Sequence, residues 1–162
     1  TLNIQRYWDA LPPQQKIAGT EDEQRAESLR LLRMQVLEAG RPSCPFCGGL
    51  PQVSFLQTKE VSAESGNRDL VCSTCLTGWP FRRVVCAYCG EESPAKLGYF
   101  SSPEYDHIRI EACDTCKRYV KGIDLTRQGL AVPLVDEVAA APLDLWAHEH
   151  GYTKIELNLI GL

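Results

Sequence analysis

Apolar residues recur at helical spacing after Thr20: Leu29, Leu32 and Val36 share one face, and Leu31, Met34 and Leu37 widen it. Thr20 is a good N-cap, and Glu23 three residues later completes a capping box. Gly40 suits a left-handed C-cap and Pro42 blocks continuation, so the pattern predicts a helix over 20–39. Its apolar face needs a partner, either the rest of the chain or a larger helical unit. The period then shortens. Leu50 to Leu56, with Val53 and Phe55, reads as a strand, Gly66-Asn67 lies in a polar turn, and Leu70-Val71 leads back. Trp79 to Val85 reads as extended, and Leu97 to Phe100 predicts another strand. The strand returning from it alternates strictly, with Ile108, Ile110 and Ala112 on one face and His107, Arg109 and Glu111 on the other. Near the end the period is helical again. Pro133 suits a first turn followed by Val135, Val138 and Ala139; Pro142 kinks that helix or starts a second one with Leu143, Trp146 and Ala147, capped by Gly151. Tyr152 to Leu162 reads as an irregular apolar end laid back over the domain, and residues 1–19, with Pro12-Pro13, as a lead-in.

The strands are punctuated by eight cysteines, all in four C-x-x-C pairs: Cys44/Cys47, Cys72/Cys75, Cys86/Cys89 and Cys113/Cys116. Loops of 24 and 23 residues separate the members of each half, and the second half repeats the first after 42 residues. C-x-x-C is the spacing at which one tight turn aims two sulfurs at a single ion, and two such turns on adjacent strands supply four tetrahedral ligands. Sequential pairing follows from the self-sufficient hairpin in each half: Cys44, Cys47, Cys72 and Cys75 on one ion, Cys86, Cys89, Cys113 and Cys116 on the other. A cross-braced arrangement and a disulfide framework are the alternatives, the latter disfavoured because no export signal precedes the pairs. Cysteine-only sites suit structural zinc or rubredoxin-like iron, and ligand softness does not separate the two. Four protein ligands leave no open position for catalysis at the metal.

The fold class expected is small, metal-stabilised α+β: tandem rubredoxin-like or zinc-ribbon units with flanking helices. The chain divides into a lead-in and helix (1–43), a first four-cysteine ribbon (44–85), a second (86–122) and a helical tail (123–162).

Charge narrows the function. Residues 1–43 carry six basic and six acidic side chains, and residues 44–122 nine of each. Residues 123–162 carry two basic and six acidic, so the whole net charge of −4 lies in the tail. Eight thiolates around two divalent ions would add about four more negative charges. That balance lacks the basic footprint of nucleic-acid binding. No apolar run approaches the roughly 20 residues of a membrane span, and residues 1–10 lack the layout of a secretory signal. Lys117, Arg118 and Lys121, with Arg82 and Arg83, are expected to offset thiolate charge. Asp136, Glu137, Asp144 and Glu149 read as a solvated helix face or an acidic docking face. His107, His148 and His150 are expected at the surface, and Trp79, Phe81 and Trp146 in the core.

Taken together, Cys44-Pro45-x-Cys47-Gly48, then Cys72-x-x-Cys75 with Trp79 and Phe81, then Cys86-x-x-Cys89-Gly90 and Cys113-x-x-Cys116 with Tyr119, resemble the formate dehydrogenase accessory (formation) proteins. The run Asp144-Leu145-Trp146-Ala147, followed by Gly151-Tyr152 and Asn158-Leu159-Ile160-Gly161-Leu162, is similar to that family's C-terminal end. The resemblance implies a cytoplasmic, non-enzymatic maturation factor that binds the catalytic subunit of formate dehydrogenase. It also implies iron in rubredoxin-like sites built from all eight cysteines. The family's substantial helical N-terminal region has only the helix over 20–39 as a counterpart here. The rivals are a rubredoxin-like electron carrier and a zinc-ribbon nucleic-acid binder.

Overall fold

The computed structural model describes residues 20–57 and 67–162. The expected lead-in over 1–19 and the polar turn up to Gly66 lie outside the described residues. Helix α1 spans Glu21–Ala39. Thr20 Oγ1 accepts the Glu23 N–H at 3.4 Å and the Glu23 carboxylate accepts the Thr20 N–H at 2.8 Å, which closes the capping box. Gly40, at φ 56°, ends the helix in the left-handed region. Val36 packs on the core around Trp79 and Phe81, while Met34 and Leu37 stay exposed, so the apolar stripe is only partly covered.

The strands are β1 (Pro51–Gln57), β2 (Asn67–Cys72), β3 (Gly78–Phe81), β4 (Leu97–Ser101), β5 (Ile108–Cys113) and β6 (Arg118–Asp124). Helices α2 (Pro133–Ala139) and α3 (Ala141–Glu149) follow, then a two-residue strand β7 (Thr153–Lys154). Each half of the chain is a three-stranded antiparallel meander, and the two join in one sheet of order β3-β2-β1-β6-β5-β4. The join is parallel, from Val53 opposite Lys121 to Leu56 opposite Asp124. The start of β6 pairs with β7 instead, Arg118 opposite Thr153 and Tyr119 opposite Lys154. One face of the sheet carries Val53, Ile108, Ile110, Ala112, Tyr119 and Ile123 and is covered by Ala140, Leu143 and Ala147 of the helical region. The other buries Leu70, Trp79, Phe81, Val120 and Ile155.

Strand β6 overturns one expectation. Lys121 does not offset thiolate charge: it is fully buried under α2 and α3. Its ammonium donates to the Glu137 carbonyl and, at 2.5 Å, to the Asp144 carboxylate. Lys154 joins the same two carboxylates, Tyr119 donates to Asp144 at 2.7 Å, and Asn158 to Glu137 at 3.2 Å. Two ammonium groups thus balance two carboxylates; breaking such a buried set leaves a charge costing several kcal/mol. Glu137 and Asp144 accordingly point inward and belong to no solvated or docking face. Burial, and then the Asp144 carboxylate, push the Tyr119 phenol far up.

A second buried ion pair lies across the join on the opposite face. Glu111 of β5 accepts from Arg109 at 2.7 and 3.0 Å, from Arg68 of β2 at 2.5 Å, and from the Ser54 hydroxyl of β1 at 3.0 Å. Arg68 also donates to the Arg82 and Val85 carbonyls, each at 3.0 Å, pinning the connection between the two halves. To reach Ser54 the carboxylate passes over β6 at Gly122. A Cβ there would lie 2.6 Å from Glu111 Oε1 and 3.0 Å from Ser54 Oγ. Because that carboxylate is held from three sides, Gly122→Ala is expected to destabilise the fold by about 1–3 kcal/mol. A lower denaturant midpoint at unchanged slope would register it.

Burial pushes the Glu111 carboxyl up, but the Arg68 and Arg109 guanidiniums outweigh it and hold the group below the usual carboxylate range. A depressed carboxylate stabilises the fold above its unfolded value, about pH 4.3, and that contribution fades as pH falls through the folded value. Glu111→Gln should therefore cost about 3–5 kcal/mol at pH 7, and the gap to wild type should narrow below about pH 4.5. Parallel denaturation series at several pH values measure it; a gap unchanged at pH 3 would contradict the assignment.

Candidate metal centres

Each half of the chain brings its two cysteine turns to one place. β1 leaves the first turn and β2 runs back into the second; β4 and β5 repeat the plan. The turns close on themselves: Gly48 N–H donates to Cys44 O, Leu76 N–H to Cys72 O and Gly90 N–H to Cys86 O, at 3.0 to 3.2 Å. In the first half the Sγ distances are 3.6 Å for Cys44–Cys75, 3.4 Å for Cys47–Cys72 and 3.5 Å for Cys47–Cys75. In the second, Cys86–Cys116 and Cys89–Cys113 are both 3.7 Å. Four sulfurs at about 2.3 Å from one tetrahedral ion lie about 3.8 Å apart, whereas a disulfide needs about 2.05 Å. All eight thiols are free, and the groups are Cys44, Cys47, Cys72, Cys75 and Cys86, Cys89, Cys113, Cys116. The geometry and the all-sulfur donor sets fit two ions, one per cluster. The grouping is sequential, not cross-braced.

Backbone conformation shows why each turn works. The residue after the second cysteine is left-handed in all four: Gly48 (φ 77°), Leu76 (φ 58°), Gly90 (φ 76°) and Lys117 (φ 54°). Two of the four turns therefore hold this conformation without glycine, at a cost of about 1–2 kcal/mol each. Gly49 serves closeness instead, since a Cβ there would lie 2.8 Å from Cys72 Sγ. Backbone N–H groups aim at the sulfurs, as Thr74 to Cys72 and Tyr88 to Cys86, both at 3.4 Å.

The first cysteine of each pair is buried; the second is exposed or, at Cys116, half-buried. Burial pushes the Cys44 and Cys86 thiols up. Cys75 is drawn down to about 6 by the Thr77 hydroxyl and then the Thr77 N–H. Cys47 has the Gly49 N–H in its favour, but the neighbouring sulfurs of Cys72 and Cys75 push it up to about 12.

No histidine joins either cluster. His107 lies 3.2 Å from Asp136, and His148 and His150 are exposed. Trp79 and Phe81 are core, whereas Trp146 is half-buried against Phe100, centroids 4.7 Å apart.

Sequence models of two adjoining domains match: "FdhE, central domain" over residues 43–83 and "FdhE, C-terminal domain" over 84–160. The chain belongs to the FdhE family. The first cluster lies within the central-domain match, and the second cluster and the helical tail within the C-terminal-domain match. An FdhE homolog of Aquifex aeolicus is 46% identical over 118 residues, 73% of this chain and 41% of that protein. FdhE of Escherichia coli O1:K1 is 33% identical over 119 residues, 73% of this chain and 37% of that one. The crystal structure of FdhE from Pseudomonas aeruginosa superposes with a TM-score of 0.64 at 27% identity, covering 97% of this chain and 55% of that one. The chain thus spans about two fifths of the length of the curated relatives it matches. The FdhE match agrees with the fold class expected from the cysteine pattern, a small α+β unit with two four-cysteine clusters.

The left-handed residues give a paired test. Leu76→Gly should raise stability by about 0.5–1 kcal/mol by relieving the backbone. Gly48→Ala, whose Cβ would meet nothing within 4 Å, should lower it by about 1 kcal/mol. Denaturant midpoints of the two variants should move in opposite directions.

Proposed function

We propose that the chain is a non-enzymatic accessory factor for formate dehydrogenase that binds its catalytic subunit during assembly. The observation that supports this most is the FdhE match running unbroken through both four-cysteine units. In this reading each cluster holds one ion, rubredoxin-like iron or zinc, ligated by Cys44, Cys47, Cys72 and Cys75 or by Cys86, Cys89, Cys113 and Cys116. The ion's contribution is to close the turns and fix the strand ends. With all four positions taken by sulfur, the site offers a substrate no coordination. The chain's own residues make the rest: the sheet sets the spacing of the clusters and the exposed surfaces meet the client.

Cytoplasmic residence fits this role, and among the described residues no helix is long and apolar enough to cross a membrane. The net charge of −4 argues against a nucleic-acid partner, whose affinity rests on an excess of basic side chains at phosphate. An electron-transfer role has one observation in its favour: Cys47 and Cys75 are exposed beside the apolar side chains of Phe46 and Leu76.

Metal-loaded chain should contain about two ions and capture the formate dehydrogenase catalytic subunit in a pull-down. Replacing Cys44 and Cys47 by alanine should remove one of the two ions and weaken capture. Elemental analysis with the visible spectrum separates iron from zinc: a colourless zinc protein removes the electron-carrier reading. No association by a fully loaded chain would overturn the assembly role.

A further inference from the structure

Among the described residues the sheet ends in two outer strands, β3 and β4. An outer strand offers unpaired N–H and C=O groups, and natural sheets blunt such edges with proline, charge, short length or a covering helix. β3 has three of these devices: four residues only, Pro80 within it, and α1 lying against it. β4, five residues long, has no proline, charge or covering helix in its sequence Leu97-Gly98-Tyr99-Phe100-Ser101, and its C-terminal half is exposed.

The repeat says what an unguarded edge of this kind does here. Pairing aligns Pro51 opposite Cys72 with Leu97 opposite Cys113, and Val53–Leu56 opposite Val71–Arg68 with Gly98–Ser101 opposite Ala112–Arg109. Val53–Leu56 are the four residues whose far side takes β6 in parallel. Their counterparts, Gly98–Ser101, have no strand on that side among the described residues. The Lys96 carbonyl accepts from Asp114 N–H at 2.8 Å, so it faces β5. Alternation then turns the backbone groups of Leu97, Tyr99 and Ser101 outward; the Leu97 N–H is taken by the Pro94 carbonyl, which leaves those of Tyr99 and Ser101 to a partner. Beside this edge lies a groove of about 560 Å³, with Phe100, Pro103, Ile110, Leu143 and Trp146 in its lining.

We propose that the outer edge of β4 is a strand-addition site that takes an extended segment of the formate dehydrogenase catalytic subunit. The segment runs parallel to β4, as β6 runs parallel to β1, and seats an apolar side chain in the Phe100–Trp146 groove. A second copy of this chain is the poorer occupant: the strand it would offer in this repeat is β3, which Pro80 interrupts and α1 adjoins. The site rests on the client-binding reading above and gives it a surface and a mode: main-chain bonds for affinity, the groove for selectivity.

Ser101→Pro deletes one outward N–H without removing a bond to β5, and Ser101→Ala keeps that N–H. Both variants are compared with wild type, at equal metal content and equal circular dichroism, for capture of the catalytic subunit. Hydrogen exchange of wild type is followed alone and in the complex. The expected result is at least a tenfold loss of affinity for Ser101→Pro, none for Ser101→Ala, and new protection of the Tyr99 and Ser101 amides in the complex. A complex that forms with residues 97–101 unprotected, or that Ser101→Pro leaves intact, overturns strand addition while sparing the assembly role. Protection that rises with concentration of the chain alone assigns the edge to a second copy and overturns the proposal. No complex with wild type overturns both.

Discussion

Four residues of parallel pairing between β1 and β6 decide the shape of the whole molecule. Without them the chain would be two small ribbons, each with few buried residues and dependent on its own ion. With them the halves form one sheet whose two faces are each buried over both units. Because the pairing is parallel, β1 and β6 start at the same end, and so both cysteine clusters lie at that end. An antiparallel join would have put them at opposite ends. Parallel ladders are slightly weaker per residue, and this one is short. The Glu111 carboxylate supplies what the ladder lacks, reaching across Gly122 to Ser54 and Arg68 and so tying β5, β1 and β2 together over the join.

The two faces of the sheet solve the same problem with opposite chemistry. On one, a carboxylate is held by two guanidiniums and a hydroxyl, and Arg68 turns its other donors to the carbonyls between the halves. On the other, Lys121 and Lys154 meet Glu137 and Asp144, and Lys154 also donates to the Leu162 carbonyl at 2.8 Å. Buried ion pairs add little net stability over well-packed apolar groups, but a half-made one is strongly unfavourable. Their effect is therefore selective: any register or helix placement that leaves one of these charges unmatched is excluded. The ion pairs thus set where the helical tail sits on β6, while Ala140, Leu143 and Ala147 supply its apolar packing on the sheet.

The local features were legible in the sequence because they depend on neighbours a few residues apart. The capping box at Thr20, the alternation from His107 to Ala112 and the four C-x-x-C turns all appear where the pattern put them. β6 was not legible, because Arg118-Tyr119-Val120-Lys121-Gly122 carries charge where a central strand should be apolar. The acids that make Lys121 tolerable come from Glu137 and Asp144, on helices that sequence alone does not bring near. Those same two acids looked like solvent-facing positions for the same reason. Alternation put Glu111 on the right face but did not show its burial, because its partners Arg68 and Ser54 lie on the other half of the chain. In each case a long-range charge pairing decided what the local pattern could not. Leu76 and Lys117 were hidden differently, since nothing in a leucine or a lysine announces a positive φ.

That leucine bears on how the two clusters differ. At the first cluster, Leu76 is held left-handed at a cost a glycine would avoid, and its side chain is exposed, as is that of Phe46 on the other turn. Cys47 and Cys75 are the outward sulfurs there. At the second cluster the corresponding left-handed residue is Lys117, which is engaged: it pairs with Asp114 at 2.5 Å and lies over the Tyr152 ring. Tyr152 in turn donates to Asp114 at 3.0 Å, and Thr115 donates to Glu91 at 2.7 Å. The second cluster is thus framed by polar contacts that run into the C-terminal tail, while the first ends in an exposed apolar lip. A residue kept in a strained conformation with its side chain exposed contributes little to folding. Two copies of one sulfur cage consequently present different surfaces, and the apolar one belongs to the cluster that the tail leaves open.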